Sequence, residues 1–202
     1  MADVTDDLRS VGIGRGITET ISTTVSVPYE KNEVSRKFNA APVGLVNKDT
    51  VYVEIFKGSH TYENLIKTGE IGINMVYDPV LFVESVFGDL TDEDYEIMDG
   101  YPFLKEAHVV LKFSVIRIEE RKVSSRFFLN LLRKDIRKTG LVGINRGFNL
   151  LLELAILASR RKISDKYNDM YSVYSPIIRK CGDERVIEAL ELLERMINGQ
   201  KG

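Results

Sequence analysis

The sequence predicts an α+β chain in which a mainly β segment comes first and helices follow. Three segments, 49–56, 71–76 and 107–118, place successive side chains on alternate faces, which is the period of a β-strand. After residue 146 the apolar residues recur at helical spacing instead. Strands grouped before helices, rather than alternating with them, are typical of the α+β class.

Length and composition fit this class. The 202 residues, 44% hydrophobic and 29% charged, suffice for a barrel, which we place at 1–140, and a small helical domain at 141–202. A net charge of −2 argues against general nucleic-acid affinity. One cysteine and two histidines exclude an internal disulfide and argue against a metal cluster. Residues 1–8 are acidic, unlike a signal peptide, and the apolar stretch 148–158 is too short to span a bilayer. We therefore expect a cytoplasmic protein that binds neither membrane nor nucleic acid.

The first part of the chain contains a glycine-rich segment and the first predicted strand. GIGRG at 12–16 lacks the full glycine spacing of a dinucleotide loop and is followed by a β-like segment, so we reject that function. Residues 17–27 are rich in Thr and Val and form the first strand of the predicted barrel. The polar segment 29–37 is typical of a turn.

The next strand, 38–46, has small residues at its centre. Ala40 and Ala41 allow another group to approach the backbone, and Pro42 has no N–H, so it belongs at an edge or bulge. Two interpretations remain open from these residues. The strand either leaves N–H groups available to a flat ligand or forms a tight barrel corner.

The loop KGSHT, 57–61, follows the strand 49–56 and precedes a short helix, 62–67. A helix N-terminus carries unpaired N–H groups and a partial positive charge, so it favours a phosphate. Ser59 or Thr61 would alternatively serve only to cap that helix. Gly69 ends the helix, and Asn74 lies on the polar face of the strand that follows.

The middle of the chain predicts a helix, an acidic segment and two strands. Pro79 suits the first position of a helix, 79–87. Six acidic residues at 89–99 indicate a solvated loop or short helix, with an active-site lid as the alternative. His108 begins the strand 107–118 and has a structural role. Ser125–Lys138 fits both an amphipathic helix and an alternating strand, and its residues alone leave both open.

The C-terminal part predicts helices only. These span 148–159, 165–174 with Ser164 as cap, a segment that Pro176 begins or interrupts, and 184–198 with Asp183 as cap. We expect them to pack on each other and on the barrel or a dimer mate.

The order of these motifs resembles a known superfamily. NAAPxG, a strand, KGSxTxxNL, TGE and an Asn-containing strand are similar to the flavin-reductase-like, FMN-binding split barrels. GITETI at 16–21, DPxLFV at 78–83 and INRG at 144–147 also resemble a narrower, uncharacterised and mostly archaeal family with a helical domain behind the barrel. The resemblance covers most of the chain and implies a strand at 125–138.

The resemblance implies FMN in a groove at the barrel edge, usually at a homodimer interface. It places the isoalloxazine ring beside Asn39, Ala40, Ala41 and Pro42, and the phosphate on Lys57, Gly58, Ser59 and Thr61, with Asn64 nearby. Asn74, Asn145 and Arg146 complete the implied cofactor-binding set, although Arg146 would alternatively form an interdomain salt bridge. No catalytic acid or base is implied, because flavin N5 accepts and donates the hydride itself.

Three functions follow as alternatives. The first is an FMN oxidoreductase of flavin-reductase type that uses a nicotinamide donor. The second is a non-catalytic FMN-binding protein, and the third is a flavin-free dimeric interaction scaffold.

Overall fold

The computed structural model describes residues 4–26, 38–88, 90–140, 143–159 and 165–199. The chain divides into two compact units, one formed by 1–76 with 90–139 and the other by 77–89 with 140–202. The helix at 79–87 thus belongs to the second unit, although it lies within the β segment of the sequence.

The first unit contains eight strands and two α-helices among its described residues. The strands are β1 Gly16–Val25, β2 Phe38–Asn47, β3 Val51–Phe56, β4 Glu70–Met75, β5 Tyr95–Met98, β6 Tyr101–Leu104, β7 Val109–Glu120 and β8 Ser124–Ile136. The helices are α1 Val4–Ser10 and α2 His60–Thr68. Six strands close an antiparallel barrel in the order β1-β2-β3-β8-β7-β4, and β5 pairs with β6 alone.

The barrel core follows from the predicted alternation. Val51, Val53 and Ile55 of β3 join the same buried cluster as the inward residues of β4 and β7. α1, which the sequence did not predict, adds Leu8 to this cluster. The α+β class and the barrel are therefore confirmed.

β2 is only half paired on one side. It pairs with β1 along its whole length, Phe38–Asn47, but with β3 only through Leu45–Asn47. Within the described residues, 38–44 therefore form an edge without a partner strand on the β3 side. Pro42 lies in this segment, as its missing N–H requires.

The ambiguous segment 125–138 lies almost wholly in the strand β8, Ser124–Ile136, so the helical interpretation is wrong. β8 pairs with β3 on one side and with β7 on the other, which satisfies the backbone on both sides. Phe127 and Leu129 face the core, whereas Phe128 lies outside against the Tyr52 ring at 5.5 Å. Tertiary pairing here overrides local helical spacing.

The acidic segment contributes more structure than the sequence suggested. Asp92–Asp94 form one 3₁₀ turn, and the β5–β6 hairpin follows. Its turn uses Asp99 and Gly100, both with positive φ (47° and 73°), as a two-residue hairpin turn requires.

The second unit is helical. It contains α3 Pro79–Phe87, α4 Arg146–Ala158, α5 Asp165–Cys181 and α6 Glu184–Gly199. Asp78 caps α3, which begins at Pro79 as predicted, and the Asp183 carboxylate accepts from Val186 N at 2.9 Å. α5 runs through Pro176 as one helix, whereas Ser164, the predicted cap, lies outside the described residues. Within the described ranges, no helix is long and apolar enough to cross a membrane.

Candidate functional site

The start of α2 is built by Ser59. Ser59 Oγ accepts a hydrogen bond from Tyr62 N at 3.2 Å and donates to Phe56 O at 2.9 Å. The predicted capping role of Ser59 is therefore present, and the helix begins at His60, two residues before the predicted start. The first-turn N–H groups of His60 and Thr61 have no acceptor within the helix. They lie at the N-terminal end of α2, which carries a partial positive charge.

Lys57 lies two residues before the Ser59 cap. Lys57 Nζ lies 3.1 Å from Glu120 Oε2, and the Glu120 side chain is 75% exposed. Gly58 adopts a positive φ of 80°, a conformation that lets the chain turn sharply between Lys57 and the cap. The loop thus presents a solvent-accessible ammonium next to a helix N-terminus.

Two amides join α2 to the barrel. Asn39 Nδ2 on the unpaired edge of β2 donates to Thr61 Oγ1 at 3.1 Å, and Asn64 Nδ2 donates to Thr24 Oγ1 at 3.0 Å. Thr61 and Asn64 are only 3% and 5% exposed. The β2 edge and the start of α2 are therefore neighbours, while the side chains of Thr61 and Asn64 are already engaged within the protein.

The side chains of the β2 edge alternate between two faces. Val43 and Leu45 belong to the barrel core, so Asn39 and Ala41 share their face, whereas Ala40 and Pro42 lie on the other. Ala41 and Pro42 remain partly exposed. The structure thus brings the residues 39–42 and 57–61 into one region of the first unit.

Asn74 lies elsewhere, on the outer face of β4 beneath the β5–β6 hairpin. It is fully buried, and its Nδ2 donates to Ile21 O at 2.9 Å and to Thr23 Oγ1 at 3.2 Å. Its Oδ1 accepts from Leu104 N at 2.9 Å. Through these hydrogen bonds Asn74 holds the hairpin on the barrel. We therefore leave Asn74 out of the candidate site.

The surroundings of Asn74 are tightly packed. A Cβ on Gly72 would lie 2.3 Å from Thr23 Oγ1, so only glycine fits there. The Tyr101 hydroxyl lies 3.0 Å from Thr23 O and 3.1 Å from Glu70 O, and burial raises the pKa of Tyr101. Tyr101 therefore remains a neutral structural residue of the hairpin.

Two titratable groups of the first unit have pKa values shifted by their surroundings. Burial lowers the pKa of His108, which donates its backbone N–H to Met75 O at 2.8 Å. A hydrogen bond from Ser124 lowers the pKa of Glu54, and a second hydrogen bond from Arg126 lowers it further. Glu54 is thus a carboxylate that forms an ion pair with Arg126. No group of metal-ligating side chains occurs in the part of the chain that the structure describes.

Asn145 and Arg146 belong to the second unit. Asn145 Oδ1 accepts from Phe148 N at 3.1 Å and caps α4. Arg146 Nη2 donates to Cys181 Sγ at 3.4 Å, and no carboxylate of the described chain forms an ion pair with it. Both residues line a cavity of about 430 Å³ within this unit.

Sequence reasoning missed three residues around the first-unit site. Glu120 and Thr24 contact Lys57 and Asn64 across 63 and 40 positions of the chain, and no local pattern signals such long-range pairs. His60 lies in the predicted loop 57–61, although its place directly after the Ser59 cap makes it the first helical position.

Two family models together match most of the chain. Residues 18–138 match the family model described as "Protein of unknown function (DUF447) N-terminal domain", and residues 145–195 match "Protein of unknown function (DUF447)". The uncharacterized protein MJ1453 of Methanocaldococcus jannaschii is 30% identical over 179 residues, which cover 79% of this chain and 91% of that protein.

A solved structure is similar along nearly the whole chain. The crystal structure of the FMN-bound protein MM1853 from Methanosarcina mazei, of the same family, is 36% identical with a TM-score of 0.83. The match covers 94% of this chain and 99% of that one. The predicted resemblance to an uncharacterised archaeal family of FMN-binding barrels is thereby confirmed. The chain belongs to the DUF447 family, whose function is unknown.

Proposed function

We propose that this chain binds FMN in its first unit, where the unpaired edge of β2 meets the start of α2. The observation that carries the proposal is the Asn39–Thr61 hydrogen bond of 3.1 Å, because it places a strand edge suited to a flat ring beside a helix start suited to a phosphate. The FMN-bound protein from Methanosarcina mazei, 36% identical, supports FMN as the ligand.

The phosphate end of FMN suits the loop 57–61. A dianionic phosphate favours N–H groups together with a cation, and the first turn of α2 and Lys57 supply both. The exposed Lys57–Glu120 ion pair contributes little stability, so the ammonium is able to turn toward a phosphate at small cost. Thr61 contributes through its backbone N–H and Asn64 through its support of α2, since their side chains are occupied.

The ring end suits the edge residues 39–42. Ala40, Ala41 and Pro42 have small side chains, which let a flat ring approach the backbone, and no strand covers the β3 side of this segment within the described residues. When bound, FMN supplies the redox chemistry itself, and the protein contributes position and electrostatics. The proposed site therefore requires no catalytic acid or base from the protein.

The finer proposal is a homodimeric oxidoreductase of flavin-reductase type with FMN near the dimer interface and a reduced nicotinamide as donor. It rests on the superfamily resemblance. Oxidation of added NADH or NADPH by the FMN-loaded protein separates an oxidoreductase from an FMN-binding protein without catalytic activity. A protein that binds no flavin at all would leave the interaction scaffold as the explanation.

Replacing Lys57 with alanine is expected to weaken FMN binding by about 1–3 kcal/mol, because one charge-assisted partner of the phosphate is lost. The exposed Lys48, in the loop between β2 and β3, provides a control of equal charge, and Lys48→Ala should bind FMN like the wild type. Fluorescence titration of both variants measures the difference. Equal affinities of the two variants would remove Lys57 from the site.

A further inference from the structure

The second unit contains a cavity of its own. Its volume of about 430 Å³ lies within the range of small-molecule sites, roughly 300–1,000 Å³. Two aromatic rings, Tyr77 and Phe148, line it together with Arg146 and Cys181. Phe148 is held edge-to-face on Phe82, with ring centroids 6.1 Å apart, so this wall has a defined orientation.

Arg146 gives the cavity a cation that forms no ion pair with a carboxylate of the described chain. Its guanidinium donates to Cys181 Sγ, a weak acceptor, at 3.4 Å. Asp183, which also lines the cavity, and the nearby Asp78 both accept other hydrogen bonds within the described chain. The Asp183 carboxylate caps α6, and Asp78 caps α3 and pairs with Arg185 at 2.9 Å. The guanidinium therefore retains hydrogen-bonding capacity for an anion.

Arg146 and Cys181 are each followed by a glycine, and these two glycines touch through their backbones. A Cβ on Gly147 would lie 2.6 Å from Gly182 N, so α4 and the turn before α6 touch through their main chains. Gly147 follows Arg146, and Gly182 follows Cys181. The guanidinium is thus attached to a backbone held in place by packing, as a preorganised binding site requires.

We propose that this cavity binds a small planar carboxylate with an aromatic or apolar body, as a site separate from the one for FMN. The Arg146 guanidinium pairs with the carboxylate, for which its planar fork is suited. Tyr77 and Phe148 contact the body of the ligand. The proposal does not depend on FMN binding, because every residue that carries it lies in the second unit.

Cys181 provides the readout, because it is the chain's single cysteine, is partly exposed and lines the cavity. The full-length protein is treated with N-ethylmaleimide, a neutral thiol reagent, and the rate of Cys181 modification is followed with added benzoate or benzyl alcohol at constant ionic strength. Benzoate is expected to slow the reaction several-fold and saturably, whereas benzyl alcohol, its neutral analogue, leaves the rate unchanged.

Variants test whether Arg146 is responsible. Arg146→Gln should abolish protection by benzoate, whereas Lys180→Gln, which removes an exposed charge next to Cys181 but outside the cavity lining, should retain it. Thermal unfolding of both variants checks that they fold. If Arg146→Gln does not fold, the comparison of benzoate with benzyl alcohol on the wild type still decides.

Four results would overturn the proposal. The first is that benzoate does not protect Cys181, and the second is that benzyl alcohol protects it equally. The third is that benzoate still protects Cys181 fully in a folded Arg146→Gln variant. The fourth is that FMN, added without benzoate, protects Cys181. The last result would show that the cavity belongs to the flavin site. Failure of FMN to bind anywhere would refute the proposed function but leave the benzoate comparison intact.

Discussion

Replacing Asn74 with alanine is expected to lower the free energy of unfolding by about 2–5 kcal/mol. The side chain is fully buried, and its loss leaves Ile21 O and Leu104 N without their partner inside the protein. Each buried polar group left unsatisfied costs about 1–3 kcal/mol. Thr23 Oγ1 also loses a donor, so the β5–β6 hairpin is loosened from the barrel.

Asn130 offers a matched control, since it lies on the barrel strand β8 with its side chain exposed. Asn130→Ala should change stability by no more than about 0.5 kcal/mol. Urea unfolding of both variants measures the difference. A loss in Asn74→Ala as small as that in Asn130→Ala would show that the hairpin does not depend on this amide.

The second large effect concerns Ser59, which caps α2 next to the proposed phosphate position. Aspartate is as good an N-cap as serine, so Ser59→Asp should keep α2 stable. It also adds a negative charge beside the phosphate. Repulsion between unit charges 4 Å apart is about 1 kcal/mol in water and about 4 kcal/mol near a protein surface, so FMN binding should weaken about fivefold or more.

Ser59→Ala separates the two roles of this residue. The Ser59 hydroxyl already accepts from Tyr62 N and donates to Phe56 O, so its loss mainly removes the cap, at about 0.5–2 kcal/mol of stability. FMN titration combined with thermal unfolding distinguishes the variants. A stable Ser59→Asp protein with wild-type FMN affinity would place the phosphate away from this helix start.

The alternation of apolar and polar residues predicted the barrel strands well where one face of the strand is buried. β3 shows this most clearly, since Val51, Val53 and Ile55 are buried and Glu54 and Phe56 are exposed. The β5–β6 hairpin had no such signal, because all four residues of β6 are buried. α1 is only seven residues long and is held by packing of Leu8 into the barrel core, which its local sequence does not reveal.

The candidate site was predictable in position but not in detail. The loop 57–61 and the strand 38–46 are predicted from residue types, and the structure brings the two segments together through Asn39 and Thr61. Which side chains are already occupied depends on long-range partners. Asn64 bonds to Thr24, and Asn74 bonds to residues of β1 and β6, so neither amide points to solvent.

FMN titration of the purified, flavin-free protein tests the central claim most directly. Binding is followed by the change in flavin fluorescence and checked by the visible absorbance of the complex after gel filtration. We predict saturable binding with about one FMN per chain. Absence of binding at tens of micromolar FMN would contradict the assignment and favour a barrel that keeps the family architecture as an interaction scaffold.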